Sequence, residues 1–110
     1  MRIAIVICIL SLMLGAVSVA AGDRSKPTTH TVTIEGMKFE PAALTVAAGD
    51  TVVWVNKDLV AHTATSSDTG IFDSKLIPPD KSWKLTVRKK GDFAYICTYH
   101  PTMKATLHVR

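Results

Sequence analysis

The residues with the most chemical content stand in one short segment, Ile96-Cys97-Thr98-Tyr99-His100-Pro101-Thr102-Met103. A thiol, an imidazole and a thioether follow one another with two residues between each. Pro101 stiffens the chain there. A second imidazole, His62, lies 35 residues before Cys97, at the head of another short strand. Two imidazoles and a thiolate in a trigonal set, with a weak axial thioether, suit a type 1 copper ion. Each donor has its own task. Cys97 as thiolate binds the metal covalently and couples it electronically. His62 and His100 are borderline donors acceptable to Cu(II) and Cu(I) alike. Met103 is soft, and too weak to draw the metal into a tetragonal geometry.

Taken singly, none of the four is telling. A lone buried cysteine or methionine is ordinarily core, and a loop histidine is ordinary. Their joint spacing is what points to a metal. The other histidines read as surface residues. His30 sits in the first strand near the N-terminal tail, and His108 alternates with Leu107 and Val109.

These groups need a scaffold, and the periodicity is that of strands. Alternation runs through residues 30–34, 37–39, 44–46, 51–55, 82–87, 93–97 and 105–109. The run Thr51-Val52-Val53-Trp54-Val55 is rich in β-branched and aromatic residues, as a central strand would be. Residues 62–65 form a short polar piece, and 72–74 a brief edge piece. Turns fall at Gly49-Asp50, Pro78-Pro79-Asp80 and Gly91-Asp92. Seven or eight short strands at spacings of about ten residues, without a convincing helix, predict an all-β Greek-key sandwich or small barrel. Trp54, Trp83, Phe39, Phe93, the valines and Met37 are expected to fill its core.

Length and composition set the remaining bounds. The chain of 110 residues allows one domain. Residues 3–21 are almost wholly aliphatic or small, behind the single Arg2, and polar sequence follows. This reads as a secretory signal peptide over 1–21, cut after Ala20 or Ala21, with a retained membrane anchor as the alternative. A flexible tail over 22–29 and one folded domain over 30–110 complete the expected organisation. Cys8 leaves with the leader, so Cys97 becomes the single cysteine of an exported domain. No internal disulfide is then available, and an exposed thiol there would be an oxidation liability. The net charge of +4 falls to +3 without Arg2. That excess, without aromatic–basic interleaving, is too small for a nucleic-acid binder. Lys81, Lys84, Arg88, Lys89 and Lys90 hold much of it, and read first as a solvated strand face. Glycine-rich phosphate loops and internal repeats are missing.

The segment from Cys97 to Met103 resembles the ligand loop of the cupredoxins, with the short C-x-x-H-x-x-M spacing of the amicyanin branch. Residues 35–39, 49–56 and 104–107 agree with that family as well, so the resemblance runs from about Thr31 to Val109. It implies a small periplasmic electron carrier with one copper, cycling between Cu(I) and Cu(II). His62, Cys97, His100 and Met103 fall on the four ligand positions. Two positions depart from the pattern. Thr63 follows His62 where many relatives have asparagine, and Tyr99 stands where the amicyanin pattern has proline. The threonine hydroxyl is shorter, but could link to the backbone near Thr98.

The expected partners are redox proteins, of dehydrogenase or cytochrome c type, docking transiently near His100. No nucleic acid, no stable membrane association after leader removal and a monomeric state are expected. A periplasmic copper chaperone or scavenger is the alternative, although its sites are often rich in Met or His, and only Met37 and Met103 remain after the leader. Enzymatic activity is not expected. Cys97 and His100 lack a third orienting group for nucleophilic catalysis, and four histidines cannot build a trinuclear copper cluster. Zinc accepts Cys and His, but a thioether is a poor ligand for it.

Overall fold

The computed structural model describes residues 26–110. The expected leader over 1–21, and the start of the tail that follows it, lie outside the described residues. Eight strands form, and among the described residues there is no helix. They are β1 (Thr29–Ile34), β2 (Phe39–Glu40), β3 (Ala43–Val46), β4 (Thr51–Asn56), β5 (Thr65–Ser66), β6 (Ser82–Thr86), β7 (Gly91–Cys97) and β8 (His100–Val109).

Two four-stranded sheets result, one in the order β2-β1-β4-β6 and the other β3-β8-β7-β5. The chain passes between them repeatedly, and this makes the pairs β1/β4 and β3/β8 parallel in otherwise antiparallel sheets. The expected all-β sandwich is the fold found. Strand β4 shows why. Its burial alternates along its whole length, with Val52, Trp54 and Asn56 inside, as a strand with one face on the core must.

Trp54 is the centre of the packing. Its ring lies 5.4 Å from Trp83, 5.6 Å from Tyr95 and 5.8 Å from Phe72. Tyr95 also meets Phe39 edge-on at 4.8 Å, a favoured aromatic geometry. Trp54, Phe39, Val32, Val46, Val52, Val87 and Val109 are buried as expected. Trp83 and Phe93 reach the core only partly, and Tyr95, which alternation alone did not single out, is fully inside.

Met37 is a correction, being 41% exposed. Gly36 and Met37 both adopt left-handed backbone, with φ of 63° and 60°. The two residues turn the chain, so the alternation of β2 does not extend back to Met37. The short piece at 62–65 and the edge piece at 72–74 are less regular than expected. His62 pairs with Ile77 and Thr65 with Asp73 as isolated bridges, and only Thr65–Ser66 joins a sheet.

Asp50 ties the opening of the domain together. Its carboxylate accepts the N–H of Thr28 at 2.9 Å and of Ala47 at 3.0 Å, and lies 2.8 Å from His30 Nε2. The N–H of Thr28, the His30 ring and the N–H of Ala47 outweigh burial and lower its pKa from 3.8 to about 2. A depressed folded-state pKa contributes stability that is present above the unfolded value and lost as pH falls through the folded one. Urea unfolding followed from pH 5 downward should therefore show a loss between about pH 4 and pH 2 that is shallower in Asp50→Asn. Parallel pH profiles for the two proteins would show that Asp50 does not carry the acid sensitivity.

Candidate metal centre

Strands β7 and β8 form a hairpin whose turn is only Thr98-Tyr99. Cys97 pairs with His100 directly across it. The next pair is Ile96 with Lys104, so Pro101, Thr102 and Met103 have no counterpart in β7. The alternating runs end at 97 and resume at 105, yet His100 to Met103 already belong to β8. The extra residues form a bulge that re-aims side chains near a strand end. Proline is tolerated there because the bulge asks no ladder bond of its missing N–H. Met103 is buried, 3% exposed, in this unpaired stretch.

His62 arrives from the connection between β4 and β5, which leads into the strand paired with β7. Its backbone exchanges hydrogen bonds with Ile77, at 3.2 and 2.7 Å, and its side chain is fully buried. The three nearest donors converge. His62 Nδ1 lies 3.7 Å from Cys97 Sγ, and His100 Nδ1 lies 3.6 Å from the same sulfur. The three ligating atoms all fall within 4.8 Å of one another, an arrangement able to hold a metal ion. The imidazole rings meet edge-on at 5.0 Å. Cys97 and His62 are buried and His100 is half-exposed, so His100 is the donor nearest solvent. His30 and His108 stand elsewhere, paired with Asp50 and Asp92.

The ring of His62 is oriented by a residue that sequence reading missed. Asp58 Oδ2 lies 2.8 Å from His62 Nε2. An ionised carboxylate only accepts, so Nε2 carries the proton and Nδ1 presents a lone pair to the site. Asp58 also accepts the N–H groups of Gly36 at 2.7 Å and Met37 at 3.0 Å. Burial raises its pKa, but the N–H of Met37, the His62 ring and the N–H of Gly36 together hold it below the ordinary value. Asn56 completes the frame. It donates to the carbonyls of Val60 and Ile77, and accepts the N–H of Asp58. The available signal was an aspartate four residues before the histidine in a short connection.

A backbone donor also faces the sulfur: the N–H of Thr63 points at Cys97 Sγ at 3.4 Å. Thr63 Oγ1 accepts the N–H of Thr98 at 3.0 Å. The link expected of the shorter hydroxyl is therefore made. The donor set of one thiol and two imidazoles, with a buried thioether three residues beyond His100, fits a copper ion better than zinc or a hard cation.

The cupredoxin-like domain model matches residues 4–109 of the chain. Amicyanin of Paracoccus versutus is 30% identical over 82 residues, which cover 71% of this chain and 62% of that protein. Amicyanin of Paracoccus denitrificans is 32% identical over 82 residues, covering 71% and 63%. The match thus spans less than two thirds of the length of these two relatives. Among solved structures, amicyanin from Paracoccus versutus aligns with a TM-score of 0.68 at 30% identity, over 74% of this chain and 81% of that one. A copper-containing nitrite reductase from Thermus scotoductus aligns with a TM-score of 0.71 at 28% identity, over 78% of this chain but 23% of its own.

Loss of the Asp58 carboxylate leaves His62 free to rotate or to take the other tautomer. In Asp58→Ala the affinity for a metal at this centre should fall about 10- to 100-fold, measured by competition with a chelator. Unchanged affinity would mean that burial alone holds the ring.

Proposed function

The chain belongs to the cupredoxin-like family, and from that premise we propose that it is a type 1 copper electron-transfer protein. One observation carries the reading. Two imidazole nitrogens, from chain positions far apart, face one buried sulfur at 3.7 and 3.6 Å. In this reading His62, Cys97, His100 and Met103 would hold the ion. Copper bound there would supply one-electron transfer through its Cu(I) and Cu(II) states.

The protein's own residues supply the rest. Asp58 and the Ile77 backbone hold His62. The Thr98-Tyr99 turn holds Cys97 opposite His100. The N–H of Thr63 disperses charge on the sulfur. A framework with donors already in place has little to reorganise when an electron arrives, which favours fast transfer. Cys97 stands within reach of two imidazoles, one of them backed by Asp58, but its sulfur is fully buried and closed to a substrate, so the proposal is a carrier rather than an enzyme.

His100 is the proposed electron port. Exposed apolar side chains stand on the connections that carry the site: Leu59 and Val60 before His62, and Tyr99 beside His100. A small apolar surface of this kind suits a brief encounter with a redox protein of dehydrogenase or cytochrome c type. Lys81, Lys84, Arg88, Lys89 and Lys90 are all exposed along β6 and the turn after it, where they would steer approach without entering the contact. The leader over 1–21, a tail over 22–29, the folded domain over 30–110, periplasmic residence and a monomeric state complete the proposal.

The decisive measurement is the visible spectrum after Cu(II) is added to the purified protein. An intense blue thiolate-to-copper band is expected, bleached reversibly by ascorbate and absent from Cys97→Ser. A weak, pale spectrum would overturn the carrier reading and favour copper storage or delivery instead. Charge steering has its own check. Lys81→Gln combined with Lys84→Gln should lower the association rate with an acidic redox partner at low salt and leave it unchanged at high salt. A rate unaffected at every ionic strength would dispose of the steering idea.

A further inference from the structure

Hydroxyl groups beside the centre form a chain that leads outward from the ligand hairpin. The N–H of Thr98 donates to Thr63 Oγ1 at 3.0 Å, and the hydroxyls of Thr63 and Thr98 lie 3.2 Å apart. The Thr65 hydroxyl donates to Thr63 Oγ1 at 3.0 Å, yet it also donates to Asp73 Oδ1 at 3.1 Å. One proton therefore has two acceptors. The ionised acceptor takes the larger share, because hydrogen bonds to a charged group are roughly twice as strong as neutral ones.

Asp73 is well placed to compete. The bridge between Thr65 and Asp73 fixes the two backbones side by side. The carboxylate accepts the N–H of Lys75 at 2.9 Å and lies 3.2 Å from its ammonium. The N–H of Lys75 comes first among the influences that lower its pKa; burial opposes, and the Lys75 ammonium and Thr65 hydroxyl add to the lowering. A proton drawn towards Asp73 leaves the oxygen of Thr63 freer to accept the N–H of Thr98. That bond joins the segment carrying His62 to the hairpin carrying Cys97 and His100. Asp73 itself is no donor to the centre, and its side chain is 40% exposed.

We infer that Asp73 is a remote positioning residue: by holding the Thr65 hydroxyl proton it tightens the Thr63–Thr98 clamp across the metal centre. The functional consequence rests on the copper reading, but the hydrogen-bond chain belongs to the folded protein with or without metal. The link depends on how one threonine proton is shared, and so on a charge at the surface.

The test is amide hydrogen exchange at Thr98, read by NMR in the metal-free full chain. Asp73→Asn keeps the shape and removes the charge, and should speed exchange at Thr98 about three- to tenfold. In a Thr65→Val background, where the shared proton is gone, Asp73→Asn should cause no further change. Thr65→Ser, which restores a hydroxyl, should restore the sensitivity to Asp73. Equal acceleration in the Thr65→Val background, or none in the native one, would overturn the inference. Failure of the copper reading would show differently, as absence of the blue band from the unaltered protein while the exchange pattern stands. In the copper-loaded protein, Asp73→Asn should slow electron self-exchange several-fold, since a looser clamp allows more rearrangement between oxidation states.

Discussion

Three lone-pair donors, largely withdrawn from water and held within 4.8 Å of one another, are the constraint on which this structure turns. Such groups gain nothing from each other's company without a metal, and burial of unpaired polar atoms is costly. The framework must therefore bring them together and keep them there. It does so by fixing the surroundings of the donors. His62 rests on Asp58, and the sulfur of Cys97 receives an N–H from Thr63, in the segment that leads into β5. The hairpin turn is pinned to that same segment through Thr63 and Thr98.

The sandwich explains why these anchors are rigid. Trp54 occupies the middle of the core, and Asn56, two residues on in the same strand, uses its side chain to close the loop before His62. Packing and polar fixation thus share one strand. Across the core, Tyr95 lies against Trp54 two residues before Cys97. Each ligand-bearing segment emerges from a strand whose inward residues touch the same aromatic cluster. A disturbance in that cluster would be felt on both sides of the centre, because close-packed interiors transmit strain.

Much of this was legible in the residue pattern. Alternation located the main strands, and the thiol, imidazole and thioether at fixed short spacing marked the centre. Reading the pattern further than it extends produced the errors. Met37 counts as core only if the alternation of Phe39 is extended back to it, and its left-handed backbone ends that alternation first. The stretch between the runs 93–97 and 105–109 contains a bulged strand end, and alternation cannot reveal which residues lack a partner. Asp58 escaped notice because its importance lies in what it faces, and an aspartate after a strand looks like an ordinary turn residue.

By itself the sequence determined the strand content, the donor types and their order along the chain, since these depend on local periodicity and side-chain chemistry. Only the tertiary structure decided which nitrogen His62 presents, and that Asp58 and Thr63 hold the arrangement. The reason is separation along the chain. His62 and Cys97 stand 35 residues apart, Gly36 and Asp58 22 apart, and Thr63 and Thr98 35 apart. No local rule couples such positions; they meet because strands far apart in sequence pair within each sheet, β1 beside β4 and β5 beside β7.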